Sequence, residues 1–212
     1  MSKADTVVGR RGRKPILRRR LLETGRDLFY KKGYYNTGVR DIARGARTAL
    51  SSFYDHFESK EDLALQYLLA EEAEMQHNLR AIMHKYPNMR DCFRAWIVAK
   101  KKDIRSGRFV GCPFAGFVYQ SARLQDEHRA EITRINRNWE HLLQQYVESA
   151  IESGQLRTDT SARDLSRRIL MLYQGGVAGW RLTDNVQYIK LMECAILEEI
   201  DKHTSSNRGS RE

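Results

Sequence analysis

TGVRDIARGARTALSSFYDHFESK, residues 37–60, decides how the rest of the chain is read. Val39, Ile42, Ala43 and Ala46 recur at three- and four-residue spacing, the pattern of a short helix with one buried face. Thr37 stands where an N-cap is expected, its hydroxyl accepting from an early backbone N–H. Arg40, Arg44 and Arg47 fall on the opposite face, and a break is expected at Arg47-Thr48. A second short helix over 49–56 would bury Leu50, Phe53 and Phe57 and leave Ser51, Ser52, Tyr54, Asp55 and His56 partly free. Ser59 caps a third helix, with Asp62 as a weak capping box. Two short helices joined by a tight turn, basic outside and apolar inside, suit a helix-turn-helix, whose second helix lies in the DNA major groove.

The composition agrees with that reading. The net charge is +10 over 212 residues. Residues 1–60 hold 15 Lys/Arg against 6 Asp/Glu, and residues 61–212 hold 22 against 21. The positive potential therefore belongs to the helix-turn-helix end, the footprint of a nucleic-acid-binding segment joined to a near-neutral body. A hydrophobic content of 41% excludes wholesale disorder. No run of about 18 apolar residues exists, so no membrane span is expected. The basic N-terminus lacks the apolar core of a signal peptide. Three widely spaced cysteines make no disulfide framework, which fits a reducing, cytoplasmic compartment.

Along the chain, residues 1–15 read as a flexible basic arm, in which Arg11, Arg13 and Lys14 suit a narrow minor groove. Pro15 fits the first position of helix 1, which Gly33 stops. A helix from Lys60 to about Tyr86 follows, near 40 Å long at about 1.5 Å per residue. Further helices are expected over 89–105, from Pro113, and over 126–153, 162–182 and 186–203, with a disordered tail from Thr204. No segment reads as a strand. The fold expected is all-α: a three-helix DNA-binding domain over 16–59 and a larger helical effector-binding and dimerisation domain over 60–203.

The order Val39-Arg40-Asp41-Ile42-Ala43, Phe53-Tyr54-Asp55-His56-Phe57, Ser59-Lys60-Glu61-Asp62-Leu63 resembles the DNA-binding domain of the TetR family of bacterial transcriptional regulators. The resemblance covers roughly residues 16–68. It implies phosphate contacts from Tyr54, His56 and Lys60. With Thr37, Arg40, Arg47, Thr48, Ala49, Ser51 and Ser52, these complete the expected DNA-facing set. The family usually has Gly-Val at the turn where this chain has Arg47-Thr48. Glycine suits positive φ there; an arginine in that conformation costs on the order of 1 kcal/mol, or else the turn is built differently. The resemblance also implies a homodimer on a palindromic operator, released by a small-molecule effector. Helices 8 and 9 would form the dimer surface through Gly175, Gly179, Ile189 and Ile196.

The rest of the chain offers candidates of lower specificity. Trp96, Phe114, Phe117, Tyr119, Trp139 and Tyr173 are possible walls of an apolar effector pocket, although aromatics at helical spacing also build ordinary cores. Cys112 precedes Pro113 and would sit at a helix N-terminus near Arg108, conditions that lower a thiol pKa. A thiol-switched regulator is therefore an alternative reading, and an inert cysteine in a tight bend the plainer one. His128, near Asp126, Glu127 and Glu131, reads as part of a solvated acidic turn rather than a metal site. No cofactor is expected. No nucleophile elbow, phosphate loop or zinc-protease motif occurs, so an enzyme is not expected. A sequence-indifferent DNA-coating protein is the alternative from a different class.

Overall fold

A computed structural model describes residues 3–119 and 126–205, with side chains from Lys14 onward. Among these residues the regular structure is helical: α1 (Lys3–Lys32), α2 (Val39–Gly45), α3 (Leu50–Tyr54), α4 (Lys60–Lys85), α5 (Met89–Arg105), α6 (Pro113–Tyr119), α7 (Asp126–Glu152), α8 (Ala162–Thr183) and α9 (Gln187–His203). None of the described helices is long and apolar enough to cross a membrane.

The chain divides into two compact units, Met1–Ala73 with Pro113–Ile132, and Glu74–Cys112 with Thr133–Glu212. The unit that holds the helix-turn-helix is thus larger than the expected 16–59 segment. It takes in the first half of α4, all of α6 and the first residues of α7.

In the first unit, Leu21, Phe29, Ile42, Ala43, Ala46, Phe53, Phe57, Leu63 and Leu68 are buried; Ile42, Ala43, Ala46, Phe53 and Phe57 among them are residues that spacing over 37–60 had selected. Gly33 ends α1 at φ 92°, where a glycine carries no β-carbon penalty. Ser59 caps α4, accepting from the Asp62 N–H at 3.0 Å. Three expectations are corrected. Helix α1 begins at Lys3 and carries Pro15 inside it; the Lys and Arg residues before the proline are good helix formers, and proline removes a single backbone donor. The N-cap of α2 is Gly38, whose N–H donates to the Asp41 carboxylate at 3.2 Å. Thr37 is buried, its hydroxyl donating to the Gly33 carbonyl at 2.8 Å, because α1 ends one turn before it. Leu50, expected inside, is 37% exposed, since the five-residue α3 directs only Phe53 inward.

In the second unit, α8 packs along α9 and α9 along α5. Ile97, Trp139, Leu143, Val147, Ile169, Tyr173, Val177, Ile189, Met192 and Ile196 form one core. Asn88 and Ser161 cap α5 and α8 through side-chain oxygens. Thr204 and Ser205 are ordered rather than part of a loose tail. Thr204 bridges Leu156, and the Ser205 N–H donates to the Gln155 carbonyl at 3.1 Å. Residues 206–212 lie outside the described residues.

Glu199 on α9 is nearly buried, with Lys202 Nζ at 2.8 Å, Arg168 Nε at 3.7 Å and His203 Nε2 at 4.0 Å. The Lys202 hydrogen bond, helped by the charges of Lys202, Arg168 and His203, outweighs partial burial and holds the carboxyl below its ordinary 4.5. The folded carboxyl therefore releases its proton more readily than the unfolded one. Its stabilisation is complete above pH 4.5 and fades as pH falls through the lower folded value. Glu199→Gln is expected to lower the melting temperature at pH 7, with the gap to wild type closing below pH 4.5. A gap constant across a pH series of melting curves would rule this out.

Candidate nucleic-acid interface

The turn between α2 and α3 is built by backbone hydrogen bonds. The Thr48 N–H donates to Ala43 O at 3.0 Å and the Arg47 N–H to Arg44 O at 3.0 Å. This pair of bonds is the Schellman ending, which places one residue in the left-handed region. That residue is Arg47, at φ 50°. The turn expected from a glycine is therefore kept with an arginine in it. Arg47→Gly is expected to stabilise the fold by about 0.5–1 kcal/mol, since relief of the β-carbon clash exceeds the entropy glycine adds to the unfolded chain. Chemical denaturation measures this, and a loss of stability would contradict it.

Phe53 and Phe57 anchor α3 from inside, with ring centroids 5.6 Å apart and the Arg18 guanidinium 5.0 Å from the Phe57 ring. Ala49, Leu50, Ser51, Tyr54 and Asp55 are exposed, and Thr48, Ser52 and His56 are half-buried. Arg40, Arg44 and Arg47 are exposed around them, as is Lys14. Apart from Thr37, which is buried, the expected DNA-facing residues with described side chains are exposed or half-buried. The side chains of Arg11 and Arg13 lie outside the described residues. Leu50 is exposed with them although helical periodicity assigned it inward.

Lys60 opens α4. Its Nζ donates to the Tyr34 carbonyl at 3.2 Å and lies 4.1 Å from the Tyr34 ring centroid. Burial holds its pKa below the usual lysine value, opposed by the Glu61 charge. The Tyr34 hydroxyl donates to Glu61 at 2.7 Å, and burial together with that bond raises the phenol's pKa. Burial opposes ionisation of Glu61, but hydrogen bonds from Tyr34, its own backbone and Ser59, with the Lys60 charge, hold its carboxyl below the ordinary value.

This polar knot also receives α6 and α7. Phe117 lies 4.9 Å from Tyr34 and 5.4 Å from His128, centroid to centroid. His128 Nε2 is 3.2 Å from the Glu61 carbonyl, which only accepts, so Nε2 carries a proton. His128 is therefore buried, not part of a solvated turn. Phe114 and Phe117 likewise belong to this unit's core and leave the expected pocket set. Tyr119 leaves it as well, at 78% exposed. Nothing in the local sequence around Phe117 or His128 signals that they pack against Tyr34; the contact joins residues more than 80 positions apart.

In the second unit the other three aromatics do meet. Trp96 and Trp139 flank Tyr173 at 4.9 Å and 5.3 Å between centroids. With Leu79, Phe93, Leu143, Ile169 and Leu170 they line an apolar cavity of about 10 Å³, room for about one water. Cys112 is apart from it and buried, with the Gln174 amide donating to its sulfur at 3.4 Å. Arg108, expected beside the thiol, instead donates to Asp103 at 2.7 Å, and α6 after Cys112 has only seven residues. Of the two features expected to activate this thiol, Arg108 is thus engaged elsewhere.

The dimer candidates also redistribute. A β-carbon on Gly179 would meet the Tyr188 ring at 2.4 Å, and one on Gly176 the Met192 Cβ at 2.4 Å, so both serve the close approach of α8 and α9 within the chain. Ile189 and Ile196 are buried between the same helices. Only Gly175 of the expected set faces open space. The small-residue spacing on α8 therefore marks, at Gly176 and Gly179, packing within the chain.

A basic helix-turn-helix with an outward second helix defines a DNA-binding protein of the helix-turn-helix class. Residues 21–67 match the family model described as bacterial regulatory proteins, tetR family, and residues 86–196 the one described as tetracyclin repressor-like, C-terminal domain. The chain belongs to the TetR family and is a DNA-binding transcriptional regulator, not an enzyme. It is 28% identical over 178 residues to the HTH-type transcriptional repressor DhaR of Mycobacterium sp. (strain GP1), covering 82% of this chain and 86% of that protein. It is 26% identical over 159 residues to the HTH-type transcriptional repressor KstR2 of Rhodococcus jostii (strain RHA1), covering 74% of each. In fold it is similar to a TetR-family regulator from Cytophaga hutchinsonii, with a TM-score of 0.84, 18% identity, and coverage of 92% of this chain and 98% of that one.

Proposed function

We propose that the protein is a cytoplasmic, homodimeric repressor that leaves a palindromic operator when a small apolar effector binds. The observation that carries the DNA reading is the exposed face of α3, ringed by Arg40, Arg44 and Arg47 and anchored from within by Phe53 and Phe57. Arg40, Arg44, Tyr54 and His56 touch phosphates, while Arg47 through Ser52 meet base edges. Lys60 has one donor held by Tyr34 and others left for phosphate. The basic residues of α1 before Pro15 add non-specific affinity. The sense of regulation is supported by the two relatives named as repressors.

The effector site is the cavity at Trp96, Trp139 and Tyr173. Its lining residues are apolar or aromatic, with two indole N–H groups and one tyrosine hydroxyl as their polar groups and no charge, which selects an uncharged, largely apolar compound. At about 10 Å³ the cavity is closed to organic ligands, so binding selects a conformation in which it is open. Helices α4 and α7 each contribute residues to both units and form the covalent route between effector and DNA. Release follows only if the effector binds the two conformations unequally.

The dimer face is an apolar stripe: exposed Met171, Gly175 and Leu182 with half-buried Ala178 on α8, and exposed Tyr188 and Leu191 on α9. Selection of duplexes from a random pool by the purified chain at physiological salt tests the whole reading. An enriched palindrome is the expected result. Binding without enrichment that weakens with added salt would leave a non-specific electrostatic binder and overturn the proposal.

A further inference from the structure

The exposed residues of the reading face are chemically biased. Between Thr37 and Lys60 the chain has no Asn and no Gln, the side chains that pair bidentately with adenine. Helix α3 has no Arg or Lys, the bidentate readers of guanine. The stretch holds four basic side chains in all. Arg40 and Arg44 lie on the first helix of the motif, which crosses the DNA backbone. Lys60 is held against Tyr34. Arg47 alone stands at the entry to α3, exposed, and no carboxylate among the described residues pairs with it. Its backbone takes a conformation that glycine would adopt without strain. An arginine retained at such a position calls for a use of its side chain.

Beside it, Ala49 and Leu50 project apolar groups into solvent at the start of α3. The thymine C5-methyl is the apolar feature of the major-groove floor, and a leucine presented to that groove has it as its complement.

We propose that each operator half-site carries a guanine read by Arg47 through N7 and O6, adjoined by thymines whose methyl groups pack on Ala49 and Leu50. This rests on α3 being the helix that enters the major groove. Ser51 and Ser52 donate to or accept from several base edges and so add affinity with little discrimination. No adenine in the half-site is read bidentately by this motif.

The full-length protein is used to select an operator from a random duplex pool, and base analogues are then placed in that operator at fixed salt. Replacing the half-site guanine by 7-deazaguanine removes the N7 acceptor. It is expected to weaken wild type about tenfold or more and to leave Arg47→Gly unaffected. Replacing the neighbouring thymine by deoxyuridine removes one methyl. It is expected to weaken wild type about fourfold and Leu50→Ala much less. Arg47→Gly relieves the turn, so loss of folding does not confuse its result. If Arg47→Gly keeps the same base preferences while binding every sequence more weakly, Arg47 is a phosphate contact and the proposal fails. A selected operator without the guanine, or insensitive to both analogues, also sinks it while leaving a sequence-specific regulator intact. Absence of any enriched sequence instead removes the groove-reading premise itself, and this inference with it.

Discussion

Gly176→Ala destabilises the protein by about 2 kcal/mol and lowers its melting temperature by roughly 4–8 °C. The new β-carbon would lie 2.4 Å from Met192 Cβ, 2.7 Å from its Cγ and 2.9 Å from its Sδ. The nearest of these atoms is fixed to the α9 backbone, so rotating the methionine side chain does not relieve the clash. Met192 is itself 3% exposed and has no free space to move into. The two helices must separate, and the core residues Tyr173, Val177, Ile189 and Ile196 lose packing along their shared seam. This loss acts against the helix propensity of alanine, which by itself favours the substitution by about 1 kcal/mol. The neighbouring Gly175→Ala supplies the control. Nothing lies within 4 Å of a β-carbon there, so propensity acts alone and the protomer gains up to about 1 kcal/mol. Thermal melts of the two variants, taken on protein kept monomeric by M171E/L191E because Gly175 lies on the proposed dimer face, should therefore shift in opposite directions. A shift of the same sign in both would mean that the α8–α9 approach does not constrain Gly176.

The double variant M171E/L191E is expected to sediment as a 24.8 kDa monomer and to lose about 10²–10⁴-fold in operator affinity. Met171 is 65% exposed, Leu191 57% and Leu182 86%, on the faces of α8 and α9 turned away from the protomer's core. Contiguous apolar surface of this kind marks an interaction site in a soluble protein. A two-fold axis through it brings a second copy of the same stripe into register, as a palindromic site requires. Two carboxylates per chain placed there confront two more across the axis in a desolvated seam, which is costly for unpaired charge. The affinity loss follows from tethering: a monomer binds one half-site and forfeits the effective concentration that links it to the other. Because both positions are exposed, the circular dichroism spectrum of the protomer should be unchanged. A variant that remains dimeric with undiminished operator affinity would move the dimer surface elsewhere.

These variants also separate what kind of information each residue carries. Gly175 and Gly179 lie one turn apart and both read as small residues for helix approach. Only the position of α9 makes one of them a contact and the other open surface.

The helix-turn-helix was legible from residues 37–60 because its signals are local. Apolar spacing, the break at Arg47-Thr48 and the Ser59 cap all act within one or two turns, and the buried Ile42, Ala43, Phe53 and Phe57 follow from them. The backbone at Arg47 was open between a left-handed arginine and a differently built turn, and the structure has the left-handed one. The helix boundaries from α4 to α9 followed the same local rules closely. The destinations of Leu50, Thr37, Phe117 and His128 were not local. Leu50 has helical spacing for the core, but α3 is too short to turn it inward. Phe117 and His128 meet Tyr34 only because α6 and α7 return to the unit that α1–α4 begin. Periodicity states that a helix has an apolar face. Which element covers that face depends on long-range packing, where many pairings bury similar area, and only the tertiary structure chooses among them.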